Sequence, residues 1–270
     1  MLTSADKRAA FRKLHESGCF IIPNPVDAGT AKALQHLGFK ALASTSAGFA
    51  WTIGKADNRV TVDDVCDHLT AICAAVDIPV NADFEDGFAH EADKVGVNVA
   101  RAVKTGIAGL SIEDFTGDNS KPLFDRELAI DRIKAARQAI DADNSGVLLT
   151  GRCEAFLRGV KDMKLVIDRL TAYAEAGADC LYAPGISTAE EISTVVKAVA
   201  PRPVNLLVGA AGPSLKIAGD LGVRRISVGG GLARTAWTGF MKASKEMAEQ
   251  GTFSELANGY PGGELNKMFT

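Results

Sequence analysis

The chain has 270 residues, 47% of them hydrophobic and 6% aromatic, with 27 glycines and a formal charge of −3. That is ample apolar material for a core, and the dispersed Lys and Arg exclude a strongly basic nucleic-acid or anionic-membrane surface. The five cysteines are scattered, odd in number and without metal-ligand spacing, which suits a reducing compartment better than a disulfide framework.

The N-terminal stretch alternates in charge from Asp6 to Glu16 and reads as neither a signal peptide nor a membrane span, so a cytoplasmic location is expected. A helix-like opening, Ser4–Ser17, leads into short apolar runs alternating with helical stretches. Strands are predicted at 19–23, 41–45, 79–85, 108–113, 146–152, 180–184, 203–208 and 225–229. Helices are predicted to begin near Asp27, Thr61, Glu91, Asp125, Lys161, Thr188 and Pro213, with a last one after Gly231. Eight strand–helix units without a hairpin signal point to an α/β closed barrel of the (β/α)8 TIM type, with residues 1–270 as one domain.

An internal echo supports this reading. Gly38, Gly106, Gly177 and Gly222 each stand between a helix and an apolar run, where a left-handed residue ends the helix and the chain turns into a strand. Counting forward from each glycine reaches Thr45, Glu113, Pro184 and Gly229, the carboxyl ends of four strands. In a barrel those ends form the catalytic face.

The third strand ends in Asp83-Phe84-Glu85, which alternation places with both carboxylates on one face. Glu113 and Asp114 end the fourth strand, and Arg152 and Glu154 the fifth. Ser44-Thr45-Ser46-Ala47-Gly48 after the second is a small-residue turn whose amides suit a carboxylate, although an ordinary tight loop accounts for it equally. The Gly229–Gly231 run suits a phosphate and is a weak signal alone. Of four histidines only His90 falls near this face; no nucleophile elbow, P-loop or dinucleotide fingerprint is present, and no lysine closes a strand. Carboxylates without nitrogen or thiolate ligands describe a hard-cation site, Mg2+ or Mn2+.

Over nearly its whole length the sequence resembles the isocitrate lyase/phosphoenolpyruvate mutase superfamily. The likeness is carried by Pro23–Ala28, Ser44–Gly48 leading to Asp57, Asn81–Gly87, Ile112–Asp114 and Thr150–Ala155. It implies a magnesium ion held by Asp83, with Asp57, Glu85 and Glu113 reached mostly through water. It further implies a substrate carboxylate on the amides around Ser44, Thr45 and Ser46, an oxyanion on Arg152, and a substrate contact at Asn205. Arg152, Asp57 and Glu113 are the implied catalytic residues. The implied chemistry is cleavage of a C–C or C–P bond in a small 2-oxo or 2-hydroxy acid through an enolate.

Two departures bear on this. Lyases of the family carry Lys-Lys-Cys-Gly-His on a loop after the fourth strand, and here that loop is Phe115–Lys121, without Cys or His. They also have glutamate after the proline of strand six, where this chain has Pro184-Gly185. A phosphoenolpyruvate mutase- or phosphonopyruvate hydrolase-like enzyme, or a non-catalytic 2-oxo acid binder, therefore stands as an alternative. The tail 251–270 carries Phe253, Leu256, Tyr260, Leu265, Met268 and Phe269. With the resemblance it implies a C-terminal helix exchanged between subunits of a homotetramer.

Overall fold

The computed structural model describes residues 2–269; Met1 and Thr270, the ends of the expected domain, lie outside the described residues. A Thr3–Asp6 capping box starts α1 (Ser4–Leu14). The chain then runs through β1 (Phe20–Ile21), α2 (Ala28–His36), β2 (Leu42–Ala43), α3 (Ser46–Thr52), α4 (Val62–Ala75), β3 (Val80–Asp83) and α5 (Ala92–Lys104). It continues with β4 (Gly109–Glu113), α6 (Arg126–Ala142), β5 (Leu148–Arg152), α7 (Met163–Glu175), β6 (Cys180–Tyr182) and α8 (Ala189–Val199). β7 (Val204–Leu207), α9 (Leu215–Asp220), β8 (Arg225–Ser227), α10 (Gly231–Gln250), a 3-10 helix (Ser254–Asn258) and α11 (Gly262–Phe269) complete it.

Each predicted strand is present, trimmed at its ends, and the sheet is parallel throughout in the order β1-β8-β7-β6-β5-β4-β3-β2. The seam between β1 and β2 is bridged by Ala43 N–H donating to the Pro23 carbonyl at 3.0 Å and by Asn24 Nδ2 donating to the Ser44 carbonyl at 2.9 Å. The fold is thus the (β/α)8 TIM barrel. Gly38, Gly106, Gly177 and Gly222 have φ of +89°, +95°, +107° and +90°, the left-handed helix stops that the echo required. Between Phe115 and Leu123 lies a single antiparallel bridge, which closes the loop after β4.

Two local expectations change. The Ser44–Gly48 turn opens into a short helix, α3, for which Thr45 is the N-cap, its hydroxyl accepting from Gly48 N–H at 3.3 Å. A Cβ on Gly48 would stand 2.5 Å from Thr45 Cγ2 and 2.8 Å from Val26 Cγ1, so glycine allows this close approach. β3 stops at Asp83, and Glu85 takes a left-handed φ of +45°. Strand alternation therefore does not set the direction of Glu85; the turn does.

The main core lies between the sheet and the helices. A second cluster, Phe11, Ile22, Ala41, Ala43, Ala108 and Leu148, closes the amino-terminal end of the barrel beneath α1. Lys7 Nζ donates to the carbonyls of Cys73 and Val76, and Arg8 to those of Ile107 and Val103, tying α1 across that end. Above this plug much of the barrel's interior is polar. Register aligns Glu113, Arg152, Tyr182, Asn205 and Arg225 as successive partners from β4 to β8. Because the strands are staggered, the row descends from the carboxyl-terminal mouth at Glu113 to the start of β8 at Arg225.

α10 is different from the other helices. Of its 20 residues only Ala233 and Glu246 are buried, while Leu232, Trp237, Phe240 and Met241 are exposed. Glu246 serves the tail, accepting from the backbone amides of Ser254 and Glu255. Among the described residues no helix is long and apolar enough to cross a membrane.

At the closed end His15 packs edge-on against Phe11 and Phe20, accepts from Arg225 at 3.4 Å and donates to the Phe11 carbonyl at 2.8 Å. Burial, then the Arg225 charge, lowers its pKa to about 3. Above pH 6.5 the ring is neutral in both folded and unfolded chains; below it the unfolded chain binds a proton that the folded chain refuses. Stability should therefore fall as pH drops from 6.5 toward 3. Urea unfolding at pH 7 and 4.5 should show a smaller loss in His15→Gln than in wild type, by about 2 kcal/mol. Equal losses would mean that His15 takes its proton in the folded state.

Candidate active site

The strand ends surround a cavity of about 170 Å³. Ser44, Thr45, Ser46, Asp57, Asp83, Arg152 and Asn205 all line it, so the predicted residues from five separate segments do converge. Glu113 is buried beside Arg152, and Glu85 is buried toward Asn58, whose Nδ2 donates to Glu85 Oε2 at 3.3 Å.

Arg152 organises the group. Its Nη1 stands 3.3 Å from Asp83 Oδ1 and 3.2 Å from Glu113 Oε2, and its Nε donates to Glu154 Oε1 at 2.6 Å. Burial disfavours the guanidinium charge, but Glu113, Glu154 and Asp83 outweigh it and hold Arg152 protonated. Arg158 takes the other Glu154 oxygen at 2.9 Å. Among the described residues Nη2 has no partner, so two donors of the fork remain for a ligand in the cavity.

The carboxylates are fixed from behind. Ser46 N–H donates to Asp83 Oδ2 at 3.0 Å, and Asp83 N–H donates to Ser44 Oγ at 2.8 Å. Asp114 faces away from the cavity: it accepts from Glu154 N–H, Arg169 and Tyr173, which positions Glu154 and so Arg152. Of the amides expected to meet a substrate carboxylate, that of Ser44 is taken by the Asn81 carbonyl and that of Ser46 by Asp83. Among the described residues the Thr45 and Ala47 amides have no acceptor and are the donors left. Asn205 is likewise engaged, accepting from Arg225 Nε at 2.9 Å and donating to Ser227 Oγ at 3.0 Å.

Among the described residues no three His, Cys, Asp or Glu side chains enclose an ion by themselves. The donors nonetheless suit a hydrated hard cation. Asp57, Asp83, Glu85, Glu113 and Glu154 outnumber the two guanidinium groups of Arg152 and Arg158. Glu85 Oε1 is buried without a hydrogen bond. Burial first, then Asp83, raises the Glu85 pKa to about 8, and burial raises Glu113 well above the carboxylate range against the pull of Arg152. These are carboxylates short of positive charge.

Several groups here were outside the sequence reading. Tyr182, Ser227, Asn81 and Arg225 line the cavity, and alternation back from Pro184 and Gly229 would have found the first two. The loop Phe115–Lys121 lines no part of it; residues 117–121 are exposed, and Thr116 Oγ1 donates to the Lys121 carbonyl at 2.6 Å, keeping the loop compact. None of the five cysteines lines it either.

Comparison with known proteins follows the same lines. The family profile described as phosphoenolpyruvate phosphomutase matches residues 11–248. An uncharacterised protein of Mycobacterium tuberculosis (strain H37Rv) is 33% identical over 224 residues, covering 82% of this chain and 81% of that one. The 2,3-dimethylmalate lyase of Eubacterium barkeri is 29% identical over 210 residues, covering 73% and 69%. A crystal structure of a candidate lyase/mutase from Burkholderia cenocepacia J2315 superposes with a TM-score of 0.94 at 45% identity, over 98% of this chain and 97% of that one. The chain belongs to the isocitrate lyase/phosphoenolpyruvate mutase superfamily.

Proposed function

We propose that the chain is a Mg2+-dependent (or Mn2+-dependent) carbon–carbon lyase or decarboxylase for a small 2-oxo or 2-hydroxy acid, acting through an enolate. The observation that carries this reading is Arg152, whose Nε and Nη1 are held by three carboxylates while Nη2 stays open at the cavity. A guanidinium fixed in this way is preorganised for charge that develops only as the bond breaks, because its orientation is set before substrate arrives.

Asp83 would hold the metal, with Asp57, Glu85 and Glu113 mostly through water; when bound, the ion supplies Lewis-acid polarisation of the 2-oxo group. The Thr45 and Ala47 amides receive the substrate carboxylate, and Arg152 Nη2 donates to the enolate oxygen. Asp57, Glu113 and Arg152 are the catalytic residues of this reading, and Asn205 contributes by shaping the cavity wall. Enclosure by Tyr182, Leu157 and Leu207 limits water around the enolate.

A phosphonate-handling mutase needs a further cation for the phosphoryl group. The only other guanidinium lining the cavity among the described residues, Arg225, is already bonded to Asn205, Asn81 and Thr150. Assayed with Mg2+, oxaloacetate, methylisocitrate or dimethylmalate should be cleaved and phosphonopyruvate should not; the reverse pattern favours the mutase, and no turnover at all favours a binding protein.

The metal reading has its own check. Mg2+ with oxalate, a planar enolate mimic, should raise the melting temperature, and Asp83→Ala and Glu113→Gln should each abolish the rise, since a ligand stabilises only a fold that binds it. A full rise in both variants would remove the carboxylate site from the proposal. Arg152→Lys keeps the charge and loses the fork, so kcat should drop by about 100-fold with KM little changed. A change confined to KM would assign Arg152 to ground-state binding.

The exposed apolar face of α10 supports a homo-oligomer, a tetramer with the C-terminal helix exchanged. Sedimentation at micromolar concentration should give a species larger than the 28.3 kDa chain, and a stable monomer would contradict it.

A further inference from the structure

Cleavage leaves an enolate whose carbon must gain a proton, and the loop after β4 that carries the acid in lyases of the family has no thiol here. The neutral groups lining the cavity are amides, aliphatic hydroxyls and one phenol, that of Tyr182. An amide or aliphatic hydroxyl is too weak an acid for the task, whereas a phenol is within the range that enzymes use.

Tyr182 sits at the end of β6, directly across from Arg152 in the register, with the guanidinium carbon 5.1 Å from the ring centroid. The Ser227 hydroxyl, which also lines the cavity, lies near enough to oppose the effect of burial on the phenol. The orientation of Asn205 beneath Ser227 is set from the barrel floor. A guanidinium only donates, so Arg225 Nε at 2.9 Å fixes Asn205 with its carbonyl oxygen downward. The Asn205 amide nitrogen must then face up, donating to Ser227 Oγ at 3.0 Å. Ser227 accepts from Asn205 there and keeps its own proton, which can turn toward Tyr182 when the phenol is ionised. Tyr182 itself lines the cavity, the side from which an enolate would reach its hydroxyl.

Arg225 can impose this order because it cannot turn to another charge. It is 2% exposed and bonded to Asn205, Asn81, Thr150 and His15, all neutral, with no carboxylate partner among the described residues. A buried cation without a counter-ion is costly and has to be surrounded by correctly oriented dipoles. Asn205 and Ser227 are the dipoles that carry that orientation upward.

We propose that Tyr182 is the general acid that protonates the enolate carbon, with Arg225, Asn205 and Ser227 as positioning residues that keep a hydroxyl donor ready for the phenolate. In the step, the enolate double bond takes the phenolic proton: a C–H bond forms, the Tyr182 O–H bond breaks and the carbonyl re-forms. The phenolate is left between the Ser227 hydroxyl and the Arg152 guanidinium, and solvent water at the mouth returns the proton. Burial, more than the opposing effect of Arg152, raises the resting phenol to about 12, so it is protonated at neutral pH. This role rests on the enolate reading above, and the test separates the two.

Run in reverse, the same acid–base pair exchanges the methyl protons of pyruvate. Wild-type protein with Mg2+ and pyruvate in D2O should wash out the methyl signal by proton NMR. Tyr182→Phe should slow the exchange about 100-fold or more while keeping the melting rise given by Mg2+ and oxalate, because oxalate binding needs no proton transfer. Ser227→Ala should slow it roughly tenfold, by removal of one hydrogen bond to the phenolate. Wild-type exchange undiminished in Tyr182→Phe would overturn the role of Tyr182 and leave the enolate intact. Loss of the oxalate response together with exchange would make the phenol a binding group and overturn it as well. No exchange in wild type would defeat the reading in which pyruvate is the enolate and, with it, Tyr182 as the acid that serves it.

Discussion

The ion cluster around Arg152 is the constraint that the catalytic end of the barrel is built to satisfy. Glu113 and Glu154 are almost wholly withdrawn from water, at 4% and 0% side-chain exposure. Acidic groups so withdrawn from water need a cation with good geometry beside them, and removing Arg152 would leave several of them without one. The supports follow from this. Asp114, Arg169 and Tyr173 form a buried network on the helix side that fixes the Glu154 backbone, while Arg158 takes the remaining Glu154 oxygen. Arg152 therefore cannot swing, and the one free end of its fork is aimed without cost to the reaction.

Behind that cluster the barrel makes an unusual choice. A TIM barrel normally fills its interior with branched aliphatic layers, and here a register row of Glu113, Arg152, Tyr182, Asn205 and Arg225 runs down the inside. Apolar burial is moved outward, to the interface between sheet and helices, and downward, to the plug of α1. This trades some stability for orientation. Most polar groups in the row have defined partners, and a bonded network is stiff where an aliphatic one would only be filled. His15 belongs to the same arrangement: it stays neutral at neutral pH because it is buried and because a second charge would stand next to Arg225.

The same logic separates the two ends of the chain. Most helices bury a stripe against the sheet, whereas α10 exposes Trp237, Phe240 and Met241 along its length. A groove of about 890 Å³, lined by Trp51, Trp237 and Met241, runs beside it. Apolar side chains presented so openly cost free energy in water, and this exposed face is the observation behind the proposed oligomer.

Much of the fold was legible from local physics. Gly38, Gly106, Gly177 and Gly222 announce left-handed helix stops, since only glycine enters that region cheaply, and each short apolar run after them is a strand. The strand-end carboxylates and Arg152 were equally visible, because a charged residue closing an apolar run has few places to go. What local pattern could not supply was anything set by partners distant in sequence. The direction of Glu85 depends on a turn with φ +45° and on Asn58; the commitment of the Ser46 amide depends on Asp83, 37 residues away. The helix α3 hid behind Gly48, a poor helix former tolerated because Val26 and Thr45 close in on it. Arg225 opens the predicted strand 225–229 with nothing local to say where it points, and only the closed barrel turns it inward among Asn205, Asn81 and Thr150. Sequence alone determined which segments are strands and helices and which end of the barrel carries acids, because those follow from propensity and period. Tertiary structure decided which donors remain free and which way each hydrogen bond runs, because a proton's direction is settled only when every neighbour is in place.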